Sequence, residues 1–216
     1  MKYKCLVFDH DDTTVNSTAT IHYPSFIEYM RIKHPEISYT LEDYFRYNFD
    51  PGVIPFFKDM CGLSEEELKE EQEFWFEYAK NHVADAFDGI RDIMNNHKDR
   101  GGIIAVVSHS YSSNILKDYR YNDLPEPDII FGWEQPKEER KPSPVPLYKI
   151  METYNLKPED LLMIDDLKPG LVMARAAGVD FAAAGWCNFV DENELYMRQH
   201  ADYYCKEVED LKKIVW

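Results

Sequence analysis

Short apolar runs recur along this chain with amphipathic stretches between them, and that alternation is its strongest constraint. The runs are Cys5–Phe8, Ile103–Val107, Ile129–Phe131, Leu161–Ile164 and Phe181–Ala184. None alternates polar with apolar residues, so each suits a strand covered on both faces, as strands of parallel sheets are. Helical stretches separate most of them. Gly89–Arg100 repeats apolar residues at Ile90, Ile93 and Met94 and stops at Gly101-Gly102, as a C-cap would. Ser112–Tyr121 reads as a second helix, Pro144–Asn155 as a third with Val145, Leu147, Tyr148, Ile150 and Met151, and Gly170–Ala177 as a fourth ended by Gly178. Strand and helix in this rhythm imply a doubly wound α/β parallel sheet.

The stretch from about Ser17 to Ala84 breaks the rhythm. It offers no strand and reads as consecutive helices at Tyr23–Lys33, Leu41–Tyr47, Val53–Met60 and Glu65–His82. Ser64 with Glu67 forms a capping box for the last, and Phe74, Trp75, Tyr78 and Ala79 supply its apolar face. A helical bundle at 17–84 is therefore expected inside a core made of 1–16 and 85–216, joined near Asn16–Thr20 and Asp85–Gly89.

In an open parallel sheet, ligands bind beyond the carboxyl ends of the strands. The first run ends at Asp9-His10-Asp11-Asp12-Thr13, the second at Ser108-His109-Ser110, and Leu161–Ile164 at Asp165-Asp166, while Arg140-Lys141-Pro142 precedes the third helix. Carboxylates, a hydroxyl and a lysine thus converge on one edge. The chain already carries a formal charge of −16. Gathering more carboxylates where a buried strand ends is costly unless a cation offsets them. Asp9, Asp11 and Asp166 suit a hard oxygen-seeking cation such as Mg²⁺. A calcium loop from Asp9 would need glycine and glutamate where Thr14 and Thr20 stand. The histidines show no zinc-ligand spacing.

The acidic balance argues against nucleic acid but permits a small phosphorylated ligand held by a metal and a lysine. No stretch has the roughly 18 apolar residues of a membrane span. Only four apolar residues follow Met1-Lys2-Tyr3-Lys4 before Asp9, too few for a signal peptide. Cys5, Cys61, Cys187 and Cys205 lie far apart and read as reduced thiols of a soluble, cytosolic protein.

The ordered set resembles the motifs of the haloacid dehalogenase superfamily of phosphohydrolases, in the branch with a helical cap after the first motif. The family's D-x-D-x-T/V matches Asp9 to Thr13, its strand ending in serine or threonine matches Ser108, its lysine matches Lys141-Pro142, and its apolar strand ending in two aspartates matches Asp165-Asp166. The resemblance implies a Rossmann-like core and a Mg²⁺-dependent phosphatase of a small phosphorylated metabolite, similar to phosphoglycolate phosphatases. It implies Asp9 as nucleophile forming an aspartyl-phosphate and Asp11 as general acid and base. It also implies Mg²⁺ on Asp9, the Asp11 backbone carbonyl and Asp166, with Asp165 in support. Ser108, Lys141 and neighbouring groups, among them His109 and Thr13, would hold the phosphate. Within the cap, Arg46 is the candidate to reach an anionic substrate. The chain is expected to work as a monomer or weak homodimer.

Two positions depart from the family pattern. Asp12 replaces the usual glycine after the second aspartate, where it tolerates left-handed backbone but adds charge beside the phosphate site. Gly170 stands near the place of a supporting aspartate, which leaves that role to Asp165. Thr13 suits phosphatases better than the related phosphosugar mutases, which tend to carry valine. A catalytically inactive binder of a phosphorylated ligand is the other alternative, and retention of Asp9 speaks against it.

Overall fold

The computed structural model describes residues 1–216. Six parallel strands form one sheet in the order β3-β2-β1-β4-β5-β6: β1 Cys5–Phe8, β2 Ile103–Val107, β3 Ile129–Phe131, β4 Leu161–Asp165, β5 Asp180–Ala184 and β6 Tyr203–Cys205. Strand β1 lies at the centre, with Cys5 beside both Ile103 and Leu161 and Phe8 beside both Val106 and Ile164. The order runs outward in opposite directions from β1, so the carboxyl ends of β1, β2 and β4 surround the crevice where such sheets bind ligands.

The pleat sends alternate β1 side chains into two cores. Leu6 and Phe8 join Ile93 and Met94 of α5 (Ile90–Asp99), Ile115 and Tyr119 of α6 (Ser112–Tyr121), and Leu211 and Val215 of α10 (Val208–Val215). Cys5 and Val7 join Leu147 and Ile150 of α7 (Val145–Tyr154), Leu171 and Met173 of α8 (Lys168–Ala177), and Met197 of α9 (Asp191–His200). Each fully buried Leu or Phe in these layers contributes about 1.5–3 kcal/mol of burial. Helices on both faces bear out the doubly wound reading. Strands β4 and β5 each take in one aspartate, Asp165 and Asp180, that hydropathy alone leaves out. Helix α8 starts two residues before Gly170, because Pro169 fits a first turn whose N–H groups have no intrahelical partner.

Between β1 and α5 the chain is helical. A π-helical turn at Thr18–His22 leads into α1 (Tyr23–Lys33), followed by α2 (Leu41–Phe49), α3 (Val53–Pro55) and α4 (Glu65–Lys80). Capping boxes start α2 at Thr40/Asp43 and α4 at Ser64/Glu67. The expected helix Val53–Met60 instead divides. Pro55 has no N–H to offer the ladder, and the next turn widens so that Cys61 N bonds Phe56 O at 3.0 Å. Phe26, Tyr29, Tyr44, Phe56 and Phe57 pack a separate aromatic core, with Phe26 stacked on Phe57 at 5.2 Å. This segment meets the sheet's surroundings on two sides. Phe45 and Phe49 of α2 pack on Phe189 and Tyr196 at 4.9 and 5.5 Å, and Phe76 of α4 packs on Tyr111 at 4.8 Å.

Candidate active site

The carboxyl ends of β1 and β4 carry a buried group of charges. Lys141 Nζ lies 2.7 Å from Asp9 Oδ1 and 2.7 Å from Asp165 Oδ2. Oxygens of Asp9, Asp165 and Asp166 all fall within 4.8 Å of one another. One ammonium thus faces three carboxylates out of water, and like charges so close destabilise each other. Burial, then the repulsion of Asp165, Asp12 and Asp9, pushes the Asp166 carboxyl well above the usual range. Burial works against the Lys141 ammonium, but Asp165 and Asp9 prevail and hold it charged.

The remaining bonds sort these carboxylates. Asp165 spends Oδ2 on Lys141 and Oδ1 on the Leu167 N–H at 2.8 Å, so both of its oxygens are engaged. Asp166 receives only the Thr13 hydroxyl, at 3.3 Å on Oδ1. Asp9 has Oδ1 on Lys141. The free capacity for a hard cation therefore sits on Asp9 and Asp166, an all-oxygen donor set that fits Mg²⁺. Asp165 works as the brace between lysine and loop. A Cβ at Gly170 would come within 2.2 Å of Asp165 Oδ2, so the carboxylate fills the space that glycine leaves.

Asp11 turns away from this group. Its Oδ1 accepts from Ser17 Oγ at 2.8 Å and His22 Nε2 at 2.9 Å, and its Oδ2 accepts from Ser110 Oγ at 2.6 Å. Burial pushes this carboxyl up, but His22, His10 and the Ser110 hydroxyl outweigh it and hold it well below the usual range. Trp75 Nε1 donates to His22 Nδ1 at 2.8 Å. Burial works against an imidazolium at His22, but the charge and hydrogen bond of Asp11, with Asp12, outweigh it and raise the ring above its ordinary value. The indole can only donate, so in this geometry Nδ1 is the acceptor and the proton that Asp11 receives sits on Nε2. Sequence reasoning missed Ser17, His22 and Trp75 as members of this arrangement. They follow no motif spacing, and only the fold brings Trp75 of α4 to the loop after β1.

The other sequence candidates are placed as follows. Ser108, buried at the end of β2, accepts the Ser110 N–H at 3.0 Å. His109 bonds the Lys141 carbonyl at 3.0 Å through Nε2; burial, then the Lys141 charge, lowers it to about 4, so the neutral ring braces the lysine loop. Thr13 is fully buried and serves Asp166. His10 pairs with Asp118 at 3.1 Å, both buried. Asp12 adopts φ 56, the left-handed turn the family gives to glycine, and its Oδ1 accepts the Thr18 N–H at 3.0 Å. Its charge is therefore spent on starting the Thr18–His22 turn. Arg46 is held by Glu42 at 2.6 Å and Asp43 at 3.3 Å, with Glu192 at 3.7 Å, and none of these partners belongs to the charged group around Lys141.

Known proteins resemble the chain over most of its length. A pyrophosphatase PpaX of Halalkalibacterium halodurans is 25% identical over 217 residues, covering 100% of this chain and 98% of that protein. A phosphoglycolate phosphatase of Mannheimia succiniciproducens is 26% identical over 166 residues, covering 73% of this chain and 72% of its own. Two solved structures share the fold over nearly their whole lengths. A haloacid dehalogenase-like hydrolase of Bacteroides fragilis superposes with a TM-score of 0.81 at 23% identity, covering 97% of this chain and 100% of that one. A haloacid dehalogenase-like family protein of Streptococcus pneumoniae gives 0.77 at 19% identity, covering 100% and 99%. The family model for haloacid dehalogenase-like hydrolases matches residues 6–184, from β1 through β5, and the chain belongs to that family.

Proposed function

We propose that this protein is a Mg²⁺-dependent phosphatase that hydrolyses a small phosphorylated metabolite through an aspartyl-phosphate on Asp9. Residues 17–84 serve as its cap over the catalytic core. The observation that carries the reading is the division of labour between two carboxylates on one loop. Asp9 is paired with Lys141 among carboxylates, whereas Asp11 is turned to three hydrogen-bond donors. Neighbouring acids with such different surroundings are suited to nucleophile and proton carrier. Relatives named for phosphate-releasing activities support the same class.

Asp9 and Asp166, with the Asp11 backbone carbonyl, would hold the ion, which when bound neutralises the carboxylates and the incoming phosphate. Lys141, Ser108 and the backbone N–H groups after Ser108 bind the phosphoryl oxygens and stabilise the charge that builds on them. Asp9 uses the carboxylate oxygen not committed to Lys141 to attack phosphorus. The phosphate's own negative charge raises the proton affinity of Asp11, so the proton it then carries passes to the leaving oxygen. With the leaving group gone, the Ser17, His22 and Ser110 donors restore Asp11 as a carboxylate that takes a proton from the water attacking the aspartyl-phosphate. Cap helices over the crevice exclude competing water. The free thiols suit a reducing cytosol.

Phosphate release from a panel of phosphorylated metabolites tests this, with Mg²⁺, with EDTA, and with Asp9→Asn. Release that requires Mg²⁺ and falls by at least about 10³-fold in Asp9→Asn is the expected result. Metal-loaded protein that binds a phosphorylated ligand without releasing phosphate overturns it.

A further inference from the structure

The loop after β5 reaches back to the turn that carries Asp9 to Thr13. Strand β5 ends at Ala184, and a Cβ on the next residue, Gly185, would fall 2.9 Å from the Cys205 carbonyl. Glycine therefore lets the chain leave the sheet this close to β6. Trp186 follows, half-buried, and donates its indole N–H to the Thr13 carbonyl at 3.2 Å. Thr13 is fully buried and no backbone N–H reaches that carbonyl, so losing the indole would strand a buried acceptor. Thr13 in turn gives its hydroxyl to Asp166 Oδ1 at 3.3 Å, the one hydrogen bond this carboxylate receives. The bond is long for a hydroxyl donor. It orients Asp166 only as well as Thr13 is itself held. Asp165 differs, with Lys141 on one oxygen and the Leu167 N–H on the other.

The same ring faces the chain that leads out of the helical segment. Phe87 packs edge-on against Trp186 at 6.4 Å, and its N–H donates to the Thr14 carbonyl at 3.1 Å. The segments entering and leaving the helices run side by side here, with the Asn16 N–H on the Asp85 carbonyl at 2.9 Å and Val15 bridged to Ala86. Trp186 thus stands between residues 85–87 and the residue that orients Asp166. Resting on the Mg²⁺ site proposed above, we infer that Trp186 is a positioning residue for the ion. It fixes Thr13, and through Thr13 it sets Asp166 as a ligand, although an indole is itself no ligand for a hard cation. Trp186 also packs against the core that holds Leu6 and Phe8. A role in packing alone is therefore the alternative, and the two differ in what they do to the ion.

Titration calorimetry of the full chain with Mg²⁺ alone tests this. Trp186→Phe keeps a ring against Phe87 and removes the donor. Losing a partner that orients a ligand directly costs about 10–100-fold in metal affinity, so one step further out the loss should be about three- to tenfold. Thr13→Val, which deletes the hydroxyl itself, should cost more. The double variant should lose no more than Thr13→Val alone, because Trp186 acts through Thr13. A residue that only fills the core would lower Tm and leave the Kd for Mg²⁺ unmoved. In the wild-type protein the Trp186 indole N–H resonance should shift as Mg²⁺ is added, a reading that needs no folded variant. An unmoved Kd in folded Trp186→Phe, additive losses in the double variant, or an indole signal indifferent to Mg²⁺ overturns this inference and leaves the metal site standing. Wild-type protein that binds no Mg²⁺ overturns both.

Discussion

Trp75, His22 and Asp11 form a line of hydrogen bonds of 2.8 and 2.9 Å from α4 into the loop after β1. Because the indole N–H fixes His22 with its proton on Nε2, losing it frees the ring to flip or to shift its proton. Trp75→Phe keeps the ring's bulk and removes only that donor. It should lower kcat by about tenfold while leaving KM within about twofold, as loss of orientation without loss of binding does. An unchanged kcat would show that Ser17 and Ser110 alone orient Asp11. Gly170 makes the converse point, since its importance lies in what it lacks. Alanine there gains up to about 1 kcal/mol of helix propensity. Its Cβ, 2.2 Å from Asp165 Oδ2, has to displace the brace of Lys141. Gly170→Ala should therefore lose about 1–2 kcal/mol net, as overpacking does, and lower turnover as Lys141 moves. Chemical denaturation and phosphate release measure the two effects, and a variant both stabler and fully active would refute the packing argument.

The chain leaving the helical segment 17–84 is tied to the sheet's surroundings by Lys117 of α6 and by Asn122, just after it. Lys117 serves the carbonyls at the end of α4, and Asn122 accepts the Ala86 N–H and donates to the Ala84 carbonyl, both at 2.9 Å. Lys117→Met keeps the apolar stem and leaves those carbonyls to water. The loss should be about 1 kcal/mol, concentrated as faster amide exchange at Ala79–Ala86 with little change in the sheet. Uniform exchange across the chain would mean that α6 is no local clamp. Such ties are illegible in sequence, because a lysine on a polar helix face looks like any solvated charge. The strands were legible for the opposite reason. Burial on both faces writes Cys5–Phe8 and Ile103–Val107 as unbroken apolar runs, whereas β6, a three-residue edge strand with two tyrosines, carries too little pattern to place. The same contrast holds at the site. Asp9, Lys141, Asp165 and Asp166 stand at strand ends or beside a marked loop and could be gathered by position. Trp75 sits in mid-helix, where a tryptophan reads as core until α4 is folded against the loop after β1.

Gathering acids out of water should make the stability of the whole chain depend on pH and on metal. Burial, then the charge of Asp9, raises Asp165 to about 7 against the pull of Lys141, and burial raises Glu71 to about 7. A carboxyl raised on folding binds its proton more tightly in the folded state, so its contribution falls as pH rises toward and through the folded value. His109, lowered to about 4, works the other way, but only below about 6.5, where the unfolded imidazole still binds a proton. Between pH 6.5 and 8 the raised carboxyls therefore dominate. Metal-free protein should lose about 1–2 kcal/mol across that interval, or about 2–8 °C in Tm for a chain of this size. Mg²⁺ binds the ionised carboxylates of the folded state alone, so its stabilisation should be larger at pH 8 than at pH 6.5. Thermal unfolding in EDTA and in Mg²⁺ at both pH values measures all four corners. Glu71→Gln should flatten part of the EDTA slope without changing the Mg²⁺ increment, because Glu71 lies on α4 and not among the carboxylates proposed to hold the ion. A Tm in EDTA that holds level from pH 6.5 to 8 would mean that the acids at the strand ends are already neutralised within the protein, and the case for a cation there would fall with it.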